Sequence, residues 1–249
     1  MGIYYENEQY PYLYETHLHT KEASACAHNT GVEMVRALKN AGYTGMFITN
    51  HFYYGNTSVS RRLLWKEWVE KFTQGFEEAR EEGEHLGVQV FFGWEAGYNA
   101  TEFLVYGLDK QWLLNHPEIK DASVEEQYQI VKNDGGMVIH AHPYREEWYI
   151  PKIRLFPEFV DGVEAINATH SNRRSTSHND PVYDKRAQEY AKKYNFPMTA
   201  GSDIHSVNVY GGGMAFPTKL ETSQDFIKAV LNRTPYLLLN GNEGFFKKI

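Results

Sequence analysis

Short β-forming runs alternate with amphipathic helical runs along nearly the whole chain, and this alternation constrains the fold more than any other feature. Tyr12–Thr16 reads as the first strand. A capping box, Thr30-Gly-Val-Glu33, opens a helix through Met34, Val35 and Leu38 that stops at Gly42. Gly45–Thr49 is strand-like. The run Arg61 to Leu86 carries Trp65, Trp68, Val69, Phe72 and Phe76 three or four residues apart, which is one helical stripe. Val88–Phe92 and Phe103–Tyr106 read as strands. Ser123-Val-Glu-Glu126 caps another helix, ended by Gly135-Gly136. Met137–Ile139, Val163–Ile166 and Met198–Ala200 are strands, with a helix across Tyr183–Tyr194. A helix near Ser223–Leu231 and a strand at Tyr236–Leu239 follow. Such alternation predicts a parallel sheet, and the number of units predicts a closed α/β barrel rather than an open sheet.

The 249 residues suit one barrel domain, and 42% hydrophobic residues are enough for a core. No apolar run reaches the roughly 20 residues that span a bilayer. The first ten residues are acidic and aromatic, unlike a signal peptide. The single cysteine, Cys26, excludes an internal disulfide. These features predict a cytoplasmic protein of one domain, residues 1–249, with no membrane partner. A net charge of −7 argues against a broad nucleic-acid surface, which leaves nucleic acid only as a short single strand.

The polar residues are informative by position. His17 and His19 follow the first strand, His51 the second, and Glu95 the run ending at Gly93. His140 and His142 follow Met137–Ile139, and Asp203 and His205 follow Met198–Gly201. In a parallel barrel, strand C-termini lie on one face, the usual place for an active site. Residues two apart on extended chain point the same way, so each pair is able to converge. Imidazole with carboxylate suits zinc, manganese or iron. His85 and His116 lie outside this pattern and read as surface or structural residues.

The segments His17-Leu-His19-Thr20, Ile48-Thr-Asn-His51, Gly93-Trp-Glu95, Ile139-His-Ala-His-Pro143, Val163-Glu-Ala-Ile-Asn167 and Gly201-Ser-Asp-Ile-His205, in this order, resemble the polymerase-and-histidinol-phosphatase (PHP) superfamily. The resemblance implies a distorted (β/α)7 barrel with two or three divalent ions and phosphoesterase activity. By position, His17, His19, Glu95 and Asp203 would hold a first ion. Glu95 would bridge to a second ion shared with His142, and His51 and His205 would belong to a third. His140 would pack behind His142 as a supporting group, and Asn167 would lie near the metals. The family's usual Thr-Asp-His is Thr-Asn-His here, with Asn50 replacing an acid. Glu102 stands where a histidine is usual and is a candidate ligand of the second ion. A further third-ion ligand would fall at Ala25, so Cys26 or His28 would substitute, with His28 ranked first.

The implied reaction is hydrolysis of a phosphate monoester or diester by metal-activated hydroxide, with Glu95, Asp203 and His205 as catalytic groups. Arg145 and Asn167 are the expected phosphate contacts, and Arg145 brings bidentate geometry. Arg173, Arg174, His170 and His178 are weaker candidates. Tyr98, Tyr144 and Trp148 are candidate walls for an apolar or base-like group. The alternatives are an oligonucleotide-trimming nuclease, a non-catalytic PHP module, or hydrolysis of a non-phosphate bond.

Overall fold

A computed structural model describes residues 2–248. In chain order the strands are β1 (Ile3–Tyr5), β2 (Tyr12–Glu15), β3 (Gly45–Ile48), β4 (Gln89–Tyr98), β5 (Thr101–Tyr106), β6 (Met137–His140), β7 (Gly162–Asn167), β8 (Met198–Gly201), β9 (Gly212–Phe216), β10 (Leu237–Asn240) and β11 (Phe246–Lys248). The helices are α1 (Gly31–Asn40), α2 (Trp65–Leu86), α3 (Lys110–Asn115), α4 (Val124–Asn133), α5 (Ala168–Ser171), α6 (Val182–Tyr194) and α7 (Ser223–Leu231).

Nine strands form one sheet in the order β10-β9-β2-β3-β4-β5-β6-β7-β8, while β1 and β11 pair separately. The two ends of the sheet, β8 and β10, lie against each other, so the sheet nearly closes into a barrel. Its strands are not all parallel. β4 and β6 are both antiparallel to β5, and β2 and β10 are both antiparallel to β9. Seven strands therefore run one way, and β5 and β9 run the other. This is a distorted TIM-like barrel.

Two expectations are corrected here. Glu95 does not follow a strand end, because β4 continues to Tyr98. Only Asn99 and Ala100, both at positive φ, join β4 to β5, and so short a loop can connect antiparallel neighbours only. β9 lies outside the strands that the sequence pattern predicts. Its sequence begins Gly-Gly-Met, and glycine suppresses the strand signal.

The caps behave as their chemistry dictates. Thr30 and Glu33 form a reciprocal box at α1, as do Ser123 and Glu126 at α4. Helix α2 begins at Trp65 rather than Arg61, and it ends on Gly87 in the left-handed conformation. Trp68, Val69, Phe72 and Phe76 are buried from that helix, each contributing about 1.5–3 kcal/mol through burial. No helix among the described residues is long and apolar enough to cross a membrane.

Candidate metal centre

The barrel geometry carries the polar segments to one end. His17 and His19 follow β2, and His51 follows β3 and bridges to Glu95 in the outer half of β4. His142 follows β6, and Asp203 and His205 follow β8. Close approach is needed there: a side chain at Gly201 would place its Cβ 2.5 Å from His17 Cβ and 2.9 Å from Glu164 Oε1. Asp203 and His142 both hold positive φ, which non-glycine residues adopt only when their surroundings impose it. At His142 the surroundings are visible. Its N–H donates to Glu164 Oε2 at 3.0 Å, and its carbonyl accepts from the Arg145 N–H.

Every histidine and carboxylate expected as a ligand, His28 apart, enters this cluster. Donor atoms of His17, His19 and Asp203 lie within 4.8 Å of one another, as do those of His17, Glu95 and His142. The same holds for His19, His51 and His205, and for His51, Glu95 and Glu102. Glu102 is thus brought to the site, 3.6 Å from His142 Nε2 and 3.7 Å from His51 Nδ1. His17 Nε2, His19 Nε2, His51 Nδ1 and Glu95 Oε2 are buried and make no hydrogen bond. His51 Nδ1 and Glu95 Oε2 are only 2.8 Å apart, yet they are not aligned as donor and acceptor. Buried polar atoms normally find partners. Four that point into one space without pairing fit a set of donors for divalent ions.

The electrostatics agree. Burial alone would depress His17, but the carboxylates of Glu164, Asp203 and Glu95 outweigh it and hold its pKa well above the usual value. Burial would raise Asp203 and Glu95, but His17 and its neighbours (Arg145 and His51 respectively) hold both well below the carboxylate range. Glu102 moves up instead, through burial and the adjacent Glu95. Burial followed by His205 and His51 pushes His19 down. For Cys26, burial works upward, but the neighbouring His205 and His51 rings bring the thiol down to about 6.

Behind the donors lies a shell that sequence reasoning left without roles. His17 Nδ1 meets Glu164 Oε1 at 2.8 Å, and His19 Nδ1 meets Ser24 Oγ at 3.1 Å. Ser24 Oγ donates to Asn50 Oδ1 and accepts from the His51 N–H, so Asn50 does support the site as a neutral group. Arg145 is buried. Its Nε donates to His170 Nε2 at 3.0 Å and its Nη2 to Asp203 Oδ2 at 2.6 Å. His170 therefore carries its proton on Nδ1, which donates to Asp184 Oδ1 at 2.8 Å. A chain of bonds from α6 fixes the guanidinium. The only sequence signal for Glu164 was its place in the Val163–Asn167 segment, and Asp184 had none.

Several expectations do not survive. Asn167 is fully buried and bonds Glu164 and Thr169, so it supports the site from behind instead of contacting substrate. His140 does not support His142. Its ring stacks on Phe103 at 5.0 Å in the core, and neither nitrogen has a partner. Tyr144 packs against Tyr190, and Tyr98 against Phe103, away from the cavity. His28 is also outside the cavity, which Cys26 lines instead.

That cavity is about 710 Å³ and is walled by Cys26, His51, Glu95, Glu102, His142, Arg145, Asp203 and His205, with Tyr54, Trp148 and Tyr149 toward its mouth. Trp148 is 93% exposed. His178 also lines the cavity and bonds Glu147. Arg173 and Arg174 do not line it.

Residues 183–235 match the family model described as PHP-associated. An uncharacterized protein of Methanocaldococcus jannaschii is 34% identical over 97 residues, which is 39% of this chain and 53% of that protein. The match spans about half of that relative. A two-domain protein from Bacteroides vulgatus containing a predicted PHP-like metal-dependent phosphoesterase superposes with a TM-score of 0.61 at 16% identity, covering 94% of this chain and 66% of that one. PsfC from Pseudomonas syringae gives 0.62 at 19% identity, covering 97% and 94%. At such identities the likeness is one of fold. The six motifs in order around one cluster resemble the polymerase-and-histidinol-phosphatase superfamily, residues 183–235 match its associated segment, and the barrel has the fold of a predicted PHP-like metal-dependent phosphoesterase.

Proposed function

We propose that this domain is a metal-dependent hydrolase acting on a small phosphate monoester or diester. The observation that carries the reading is the set of unpaired buried donors on His17, His19, His51 and Glu95, beside a buried arginine. His17, His19, Glu95 and Asp203 would hold one ion, and Glu95, Glu102 and His142 a second. His51 and His205 remain for a third. Mixed imidazole and carboxylate donors suit zinc, manganese or iron. Bound there, such ions supply a water of lowered pKa and positive charge for phosphoryl oxygens.

The chain's own residues do the rest. Arg145 Nε and Nη2 are engaged by His170 and Asp203, and Nη1 has no protein partner among the described residues, so it is the donor left for a phosphoryl oxygen. His205 Nδ1 donates to the Asp203 carbonyl at 2.9 Å, which leaves the Nε2 lone pair as the one it would offer the third ion. A second reading, trimming of short single-stranded oligonucleotides, is favoured by Trp148, an exposed aromatic at the cavity mouth suited to stacking.

The test is elemental analysis of the purified chain together with turnover of a phosphomonoester and phosphodiester panel. Two or more metals per chain, and turnover lost in Asp203→Ala and His142→Ala, are expected. Bound metal with no turnover across the panel would overturn the phosphoesterase reading in favour of a non-catalytic domain or hydrolysis of another bond.

A further inference from the structure

Four imidazoles line the cavity, and three of them, on His51, His142 and His205, belong to donor sets. The fourth, His178, belongs to none. Two loops set its place. In the segment before α6 its backbone holds a φ of 52°, and its carbonyl accepts from the Asp180 N–H at 2.8 Å. Its Nδ1 bonds Glu147 Oε1, from the segment after β6. That segment is held to α6, where Glu146 pairs with Arg186 and its carbonyl accepts from the Tyr183 hydroxyl at 3.0 Å.

A carboxylate only accepts, so the proton lies on Nδ1 and Nε2 keeps its lone pair. Nε2 makes no hydrogen bond among the described residues. Burial, followed by Arg145, holds the pKa below 6.5 against Glu147 and Asp203, which leaves the ring neutral at neutral pH. Depth matters as much. His142 and Asp203 are buried, the His178 side chain is 27% exposed, and Trp148 is 93% exposed at the mouth. A phosphoryl group seated by the donors and Arg145 therefore places the alcohol part of its ester beside His178, on the way out.

We propose that His178 selects that alcohol part: Nε2 accepts a hydrogen bond from a hydroxyl on it, which makes phosphate esters of polyols and sugars the preferred class. This rests on the phosphoesterase reading above and names its substrate class. An alkyl chain in the same place would leave Nε2 without the partner that water supplies in the open cavity, and so is disfavoured.

Turnover of matched esters by the metal-loaded full chain tests this, with glycerol phosphate set against propyl phosphate and sorbitol phosphate against hexyl phosphate. The wild type should favour the polyol of each pair. His178→Ala should lower the polyol-to-alkyl ratio of kcat/KM by about 3–10-fold, the worth of one neutral hydrogen bond. His178→Asn, whose amide oxygen still accepts and whose backbone tolerates positive φ, should recover part of that ratio. Nitrogen NMR of the metal-free chain, with the His178 signal identified by its loss in His178→Asn, should show the Nδ1–H tautomer. A wild type without preference for the polyols, an equal loss on both esters in His178→Ala, or an Nε2–H tautomer would overturn the His178 assignment alone. No turnover of any phosphoester by the wild type would overturn the phosphoesterase reading with it.

Discussion

Glu164 Oε1 lies 2.8 Å from His17 Nδ1, and both residues are fully exposed to the interior and hidden from solvent. The carboxylate fixes the proton on Nδ1 and turns the Nε2 lone pair into the cluster. Its other oxygen accepts from the His142 N–H at 3.0 Å and from Asn167 Nδ2 at 3.1 Å, so one carboxylate orients two candidate ligands. In Glu164→Gln an amide NH2 would face a donor on one side. A loss of about 10–100-fold in metal affinity or activity is expected, measured by equilibrium metal titration. Unchanged affinity would show that Glu164 does not orient His17.

Gly201→Ala should damage the same centre sterically. The added methyl would meet His17 Cβ at 2.5 Å and Glu164 Oε1 at 2.9 Å, closer than carbon and oxygen tolerate. Overpacking of this kind costs about 1–3 kcal/mol. Thermal unfolding and metal stoichiometry should both fall; a variant with wild-type melting and full metal content would contradict the packing.

Trp148 is 93% exposed, so Trp148→Ala should leave stability unchanged. If it stacks a flat substrate group, the variant should lose about 1–3 kcal/mol of binding to nucleotide-like substrates. KM would rise for those and stay constant for a small aliphatic phosphoester. An equal effect on both substrates would remove the stacking role.

His140 supplies a pH prediction. Burial, with His142 nearby, lowers its pKa from 6.5 to about 3. The unfolded chain then takes up a proton near 6.5 that the folded one refuses, so stability is lost as pH falls between those values. His140→Phe should flatten this slope and unfold less readily in acid, checked by denaturant midpoints from pH 7 to pH 4. An unaltered slope would mean that His140 is protonated in the fold.

Much of the centre was legible locally. His17 with His19, and Asp203 with His205, are donors two residues apart, and that spacing is read without knowledge of the fold. The capping boxes at Thr30 and Ser123 were equally local, since their partners lie three residues away. The β4–β5 hairpin and β9 were not legible. One depends on turn residues without the usual glycine, and the other on a glycine-rich strand that only its neighbours stabilise.

The sequence by itself determined which donors this protein has, in what order, and that all of them but Glu95 and Glu102 follow strand ends. Tertiary structure decided how those donors act. Glu164 reaches His17 across 147 residues, and the bond between them selects which nitrogen remains free. Arg145 is aimed by His170 and Asp184, contributed by α5 and α6, and Cys26 rather than His28 lines the cavity. Periodicity reports only the face on which a side chain lies. Lone-pair choice and ligand reach depend on partners from distant strands, and barrel closure alone brings those into contact.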